Sequence, residues 1–472
     1  MPNKIDLLMG DDTACLASSV LFNLSHVLFN GEDEVVAMLS ITAPEIDVEN
    51  ARTPLNLVAA IDISTSMQGA KLRTAKASLA KLVEHLGPDD RLSIISFGSD
   101  VRTVFNSDFM TGPNKTVALT AVKQLAVSGW TNFSGAMMES FATMNKYEGK
   151  GGAINRIILF TDGEPTSGVT DEGQLLDIFD KALNENISVS TFGYGKSYNA
   201  ELLSEMSKRG GGSHYAVSDI EQCAAMFGTE LGGLLTTYAQ NMRVALNLAE
   251  GVTFNGFMDT AYEIDGQEIT LPDILGGETK NVLVKLKLPK KTRAVCARES
   301  KVLDFRIEYD DLQEARRKDD SVPARIQYVR RKDDVSSETN LEVQGQIDLL
   351  EAAAAIKNAQ RMADAGDLAG ARESLLNLSR DYSSVGRRES FYSPQLSTDM
   401  LEMAEGMESN RGYSATRSRL VASSMAYSTR RATGTLNDAM FTNAGQESVA
   451  AAFTAPVTPA PTVPPSSSSS TD

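Results

Sequence analysis

The chain has 472 residues, 42% of them hydrophobic, and a formal net charge of −17. That length excludes a single small module and suggests two or three domains with sizeable cores. The acidic balance excludes nucleic acid as a partner, since phosphate contacts need clustered Lys and Arg, and suits cationic ligands and metal ions.

Cys15, Cys223 and Cys296 lie far apart with no C-x-x-C spacing, so neither a disulfide framework nor a zinc knuckle is available and a reducing compartment is the simpler reading. The first residues have early acids and too short an apolar stretch for a secretion signal, and no segment reaches the length of a membrane span. A cytoplasmic location is therefore expected.

At the N-terminal side, "SSVLFNLSHVLFN" and "EVVAMLSITAP" alternate with period two and read as strands of a β-sandwich over residues 14–50. From residue 54 to 236 the texture differs. Short apolar runs at 57–61, 91–97, 156–160, 187–192 and 214–217 alternate with helix candidates at 71–86, 117–125, 134–147, 172–184, 200–207 and 221–235. Near-continuous apolar strands between amphipathic helices indicate an α/β domain with a doubly wound parallel sheet. Such sheets bind ligands beyond the carboxyl ends of their strands.

Residues 237–335 return to alternating strands with turn signals such as Asp265-Gly266 and complete the sandwich, so that the α/β domain is inserted between its two parts. The 338–410 region is helical by propensity and period, and Gly366 and Asp367 supply a turn and cap within an αα-hairpin. Residues 411–453 are expected to be poorly ordered, and 454–472 form a Pro/Ser-rich tail that cannot bury a core.

The chemistry concentrates at the strand ends of the α/β domain. "AAIDISTSMQG" places Asp62, Ser64 and Ser66 at alternate positions where the first buried strand stops. A D-x-S-x-S pattern arises by chance in roughly one chain in ten of this length, so position decides its weight. "SGWTNFSGAM" puts Thr131 in a loop before a helix, and "IILFTDGEPT" puts Asp162 at the end of another buried strand. Two readings compete: the hydroxyls cap helices and Asp162-Gly163 is an ordinary turn, or all these oxygens face one hard cation.

This combination resembles the von Willebrand factor A domain family at its metal-ion-dependent adhesion site. The resemblance implies that Asp62, Ser64, Ser66, Thr131 and Asp162 hold a divalent metal, Mg²⁺ before Mn²⁺ or Ca²⁺, with an open position for an Asp or Glu carboxylate of a protein partner. Trp130 either packs its loop or lines the recognition surface, and Asn132, Gly163 and Glu164 are the neighbouring candidates for partner contact. The stretch over 56–216 is similar to the intracellular branch that includes plant RING-finger proteins. The RING itself is missing, because dispersed cysteines and three histidines cannot build its paired zinc sites.

The expected function is thus a non-enzymatic, metal-dependent protein-binding module in a multidomain scaffold. An adaptor or assembly subunit working with an ATPase is the alternative, and this chain has no phosphate-binding loop of its own. His26, His85 and His214 read as packed or solvent-facing, and no G-x-S-x-G elbow or base beside the acids supports a hydrolase. The oligomeric state is left open.

Overall fold

The computed structural model of the chain describes residues 15–46, 53–106, 109–146, 153–162, 164–184, 187–195, 198–217, 220–259, 261–292, 295–296, 299–335, 339–384, 386–431 and 441–454. Three strands come first: β1 (Ala17–Phe22), β2 (His26–Leu28) and β3 (Glu34–Thr42). The α/β domain follows, with strands β4 (Leu55–Asp62), β5 (Arg91–Phe97), β6 (Val101–Asn106), β7 (Ile154–Thr161), β8 (Ile187–Tyr194) and β9 (Gly211–Val217). Its helices are α1 (Ala70–His85), α2 (Gly112–Gln124), α3 (Phe133–Asn145), α4 (Glu172–Asn184), α5 (Ala200–Arg209) and α6 (Ile220–Leu235).

The six strands form one sheet in the order β6-β5-β4-β7-β8-β9, parallel except for β6. Every residue of β4 is buried, because both faces of the sheet are covered. Leu57, Ala59 and Ile61 point into a core shared with α1, α2 and α6, while Val58 and Ala60 point into the opposite core with α3, α4 and α5. Strand order reverses between β4 and β7, which opens a crevice at their carboxyl ends. The sequence reading missed β6, whose alternating "VRTVFN" buries only Phe105 and borders the sheet as an antiparallel edge.

After α6 the chain forms β10 (Thr237–Leu248), β11 (Thr253–Phe257), β12 (Glu263–Asp265), β13 (Glu268–Leu271), β14 (Ile274–Leu275), β15 (Thr279–Lys287), β16 (Glu299–Asp311) and β17 (Arg316–Val329). One sheet runs β1-β3-β15-β11; the other runs β12-β13-β10-β16-β17-β2, with β14 on β10. β3 pairs with β15 from Thr42 opposite Thr279 to Glu34 opposite Lys287, and β2 adds to β17. Strands on either side of the α/β domain in sequence are therefore hydrogen-bonded neighbours in space, and Val35, Leu39, Met242, Val284, Phe305 and Tyr309 share one core between the sheets.

Helices α7 (Leu341–Asp364) and α8 (Leu368–Tyr382) make the hairpin, with the Asp367 carboxylate accepting from the Gly370 N–H at 2.9 Å. The hairpin is half of a larger bundle. α9 (Ser393–Gly406) and α10 (Asn410–Thr429) pack on it, so the lack of order expected beyond residue 411 does not extend through α10. Tyr413, Leu420 and Tyr427 recur every seven residues along α10 and are buried in the bundle, while Val421 enters the core of the α/β domain. Ser and Thr side chains dominate the rest, and several turn back onto the helix itself, as Ser414 does to the Asn410 carbonyl.

A last helix, α11 (Ala444–Thr454), lies on α6, again within the segment expected to be poorly ordered. Gly228 and Gly232 permit the approach. A Cβ on either would lie 2.5 Å from the Ala450 Cα and 2.7 Å from the Gln446 Cα respectively. The Pro/Ser-rich tail falls outside the described residues apart from Thr454.

Candidate functional site

The crevice between β4 and β7 carries the oxygen-rich cluster. Asp62 ends β4 and is fully buried; its Oδ1 accepts from the Ser64 N–H at 2.7 Å and its Oδ2 from the Thr161 hydroxyl at 2.6 Å. The Ser64 and Ser66 hydroxyls lie 2.9 Å apart, and Ser66 Oγ donates to Asp162 Oδ1 at 2.8 Å. Asp162, just past β7, is also buried, and its Oδ2 pairs with the Lys71 ammonium. A continuous line of polar contacts thus joins Asp62, Ser64, Ser66, Asp162 and Lys71.

Thr131 reaches the same place through the backbone. The Ser128 N–H donates to the Ile63 carbonyl at 2.6 Å, the Thr65 N–H to the Gly129 carbonyl at 3.1 Å, and the Asn132 N–H to the Gly98 carbonyl at 3.1 Å. These bonds lay the 128–132 loop along the 63–65 loop. Gly98 makes room for it, since a Cβ there would sit 2.0 Å from the Ser128 carbonyl oxygen. The Thr131 N–H in turn donates to Thr166 Oγ1 at 2.9 Å, tying in the segment that follows Asp162.

Helix capping does not account for the two serines. The N-cap of α1 is Gly69, and Ser64 precedes a single 3₁₀ turn at Thr65–Met67 without making a side-chain cap bond. Asn132 does cap a helix: its side-chain oxygen accepts from the Gly135 N–H at 2.9 Å at the start of α3. Trp130 does not pack its loop; the side chain is 66% exposed beside Thr131. Glu164 is exposed, and Gly163 lies outside the described residues.

Burial pushes the Asp62 carboxyl up to about 6, against the lowering effect of hydrogen bonds from Thr161 and Ser64, and nearby Asp162 adds to the rise. Two carboxylates and one ammonium leave the cluster with an excess of negative charge that a cation would relieve. Among the described residues no three His, Cys, Asp or Glu side chains gather as a metal site; this cluster has two carboxylates, and its remaining donors are hydroxyls. The sequence reading did not single out Lys71 or Thr161. Lys71 had one signal: a cation in the first turn of a helix sits against the macrodipole, so it calls for a nearby carboxylate.

A parallel sheet with helices on both faces and a polar cluster at its switch point defines a doubly wound α/β domain. Residues 56–229 match the family model of the von Willebrand factor type A domain, and this part of the chain is such a domain. The chain is 33% identical over 145 residues to inter-alpha-trypsin inhibitor heavy chain H1 of Sus scrofa. That match takes in 30% of this chain and 16% of the heavy chain, so less than two thirds of that relative is represented here.

Likeness to solved structures extends beyond the domain. A von Willebrand factor type A protein from Catenulispora acidiphila overlays 84% of this chain and 91% of its own, with a TM-score of 0.66 at 16% identity. The ArnB paralog VWA2 from Sulfolobus acidocaldarius overlays 87% of this chain and 98% of its own, with a TM-score of 0.56 at 16% identity. At these identities the likeness establishes fold. Von Willebrand factor type A domains are typically modules of protein–protein interaction. No helix among the described residues is long and apolar enough to cross a membrane.

Proposed function

We propose that the α/β domain binds a protein partner through a divalent cation held at the β4/β7 crevice, and that the sandwich and helical bundle carry it as a scaffold. The observation that carries this reading is the hydrogen-bonded line from Asp62 through Ser64 and Ser66 to Asp162, with the Thr131 loop laid beside it. All five side chains offer oxygen, the donor type that a hard cation such as Mg²⁺ prefers over nitrogen or sulfur.

Asp62, Ser64, Ser66, Thr131 and Asp162 are the residues that would hold the ion. Once bound, a divalent ion with neutral hydroxyl donors keeps enough positive charge to attract an Asp or Glu side chain of the partner. The chain's own residues supply the rest. Thr161 and the Ser64 N–H orient Asp62, Ser66 orients Asp162, and exposed Trp130 offers an aromatic anchor at the rim.

The test is calorimetric titration of the full chain with MgCl₂ and MnCl₂, alongside Ser66→Ala and Thr131→Ala, followed by partner capture in Mg²⁺ and in EDTA. The expected result is saturable binding that either substitution weakens and capture that EDTA abolishes. Capture that persists in EDTA and in both variants would move recognition to the sandwich, the bundle or the tail.

A further inference from the structure

Lys71 is the only charge partner recorded for Asp162 among the described residues, and it approaches the same carboxylate that Ser66 presents to the crevice. The two oxygens of Asp162 are thereby divided between a hydroxyl and an ammonium. Asp62 is engaged differently, with one oxygen on a backbone N–H and the other on the Thr161 hydroxyl. Asp162 is therefore the carboxylate whose charge is already answered by a cation.

We propose that Lys71 is a tethered cation that occupies Asp162 and competes with the divalent ion for it, so that ion binding is coupled to withdrawal of the Lys71 ammonium. This inference rests on the metal-dependent reading of the site and names its regulation. The physical ground is Coulombic. A divalent ion drawing on Asp162 would lie within a few ångströms of an ammonium on the same carboxylate, and like charges that close in a partly buried site repel strongly.

Withdrawal needs no rearrangement of the fold. The Lys71 side chain is 36% exposed while that of Asp162 is fully buried, so four methylenes can swing the ammonium toward water and leave the carboxylate where Ser66 holds it. Attachment to the first turn of α1 keeps the ammonium at high effective concentration, and the helix macrodipole disfavours a cation there, which helps its release. The result is a site in which the Asp162 charge stays paired at low ion concentration, with that of Asp62 left over to favour a cation, and which opens when the divalent ion becomes abundant enough to displace Lys71.

The experiment is Mn²⁺ binding to the full chain followed by electron paramagnetic resonance of the free ion, for wild type, Lys71→Met, Lys71→Arg and Ser66→Ala. The expected result is about tenfold tighter binding in Lys71→Met, a figure discounted for the exposure of the lysine, with Lys71→Arg close to wild type. A second readout needs no affinity measurement: in EDTA, Lys71→Met should melt below wild type, and saturating Mn²⁺ should reverse that order.

Unchanged or weaker binding in Lys71→Met, with wild-type binding lost in Ser66→Ala, would overturn the competition and leave the metal site standing. No saturable binding in any of the four proteins would overturn both. Binding that appears only in Lys71→Met would show that the lysine blocks the site outright.

Discussion

Replacing Asp62 by Asn separates the cost of the site from its use. The carboxyl rises from the ordinary Asp value of 3.8 to about 6 on folding, chiefly through burial. At pH 7.4 both states are ionised, so folding works against about 3 kcal/mol, each pKa unit being worth about 1.36 kcal/mol. Because the folded value is raised, the favourable contribution of protonated Asp62 is complete below 3.8 and is lost as pH climbs through about 6. Asn keeps an oxygen for the Ser64 N–H, and its amide can donate to Thr161 once that hydroxyl turns.

In EDTA at pH 7.4, Asp62→Asn is therefore expected to gain up to about 3 kcal/mol over wild type, and to gain nothing from Mg²⁺. The assay is urea unfolding followed by circular dichroism and by fluorescence of Trp130, the single tryptophan, which sits in this domain. The reasoning fails if Asp62→Asn is less stable than wild type in EDTA, or if Mg²⁺ raises both proteins equally.

His214 should act with the opposite sign. Thr191 donates its hydroxyl proton to the Leu203 carbonyl and so accepts from His214 Nδ1–H, leaving Nε2 to accept from the Tyr198 hydroxyl. Burial pushes the ring's pKa down to about 3, so this neutral ring loses stability as pH falls below 6.5, by about 2 kcal/mol at pH 5. His214→Gln should flatten that part of the urea profile, read as a difference from wild type because Asp62 offsets it over the same range. Gly232→Leu would place a side chain where Gln446 passes; α11 should detach, and limited proteolysis should then cut within 444–454 while the sheet of the α/β domain stays protected. Protection of α11 in that variant would disprove the close glycine packing as its anchor.

The α/β domain was legible because its signal is local. A short apolar run such as "LNLVAAID", repeated between helical stretches, fits a strand buried on both faces of a parallel sheet, and its carboxyl end is where such sheets bind ligands. Asp62, Ser64, Ser66 and Asp162 were singled out from their places after strands and Thr131 from its loop before a helix; the structure brings the first four into one line of polar contacts and lays the Thr131 loop beside them. The limits were equally physical. β6 has one buried residue and little period to detect, and α10 is rich in Ser, Thr and Arg with its apolar residues serving two different cores.

By itself, then, the sequence determined the fold class, the insertion of the α/β domain within a sandwich, and the oxygen set at the strand ends, because hydrophobic period and turn chemistry are properties of neighbouring residues. Only the tertiary structure decided what those oxygens touch. It removed helix capping as the role of the serines, turned Trp130 outward, engaged Asn132 as a cap, and brought Lys71 onto Asp162 across 91 residues of chain. Contacts between distant segments follow from how sheets, helices and loops pack around the switch point, and no local pattern encodes which ammonium meets which carboxylate.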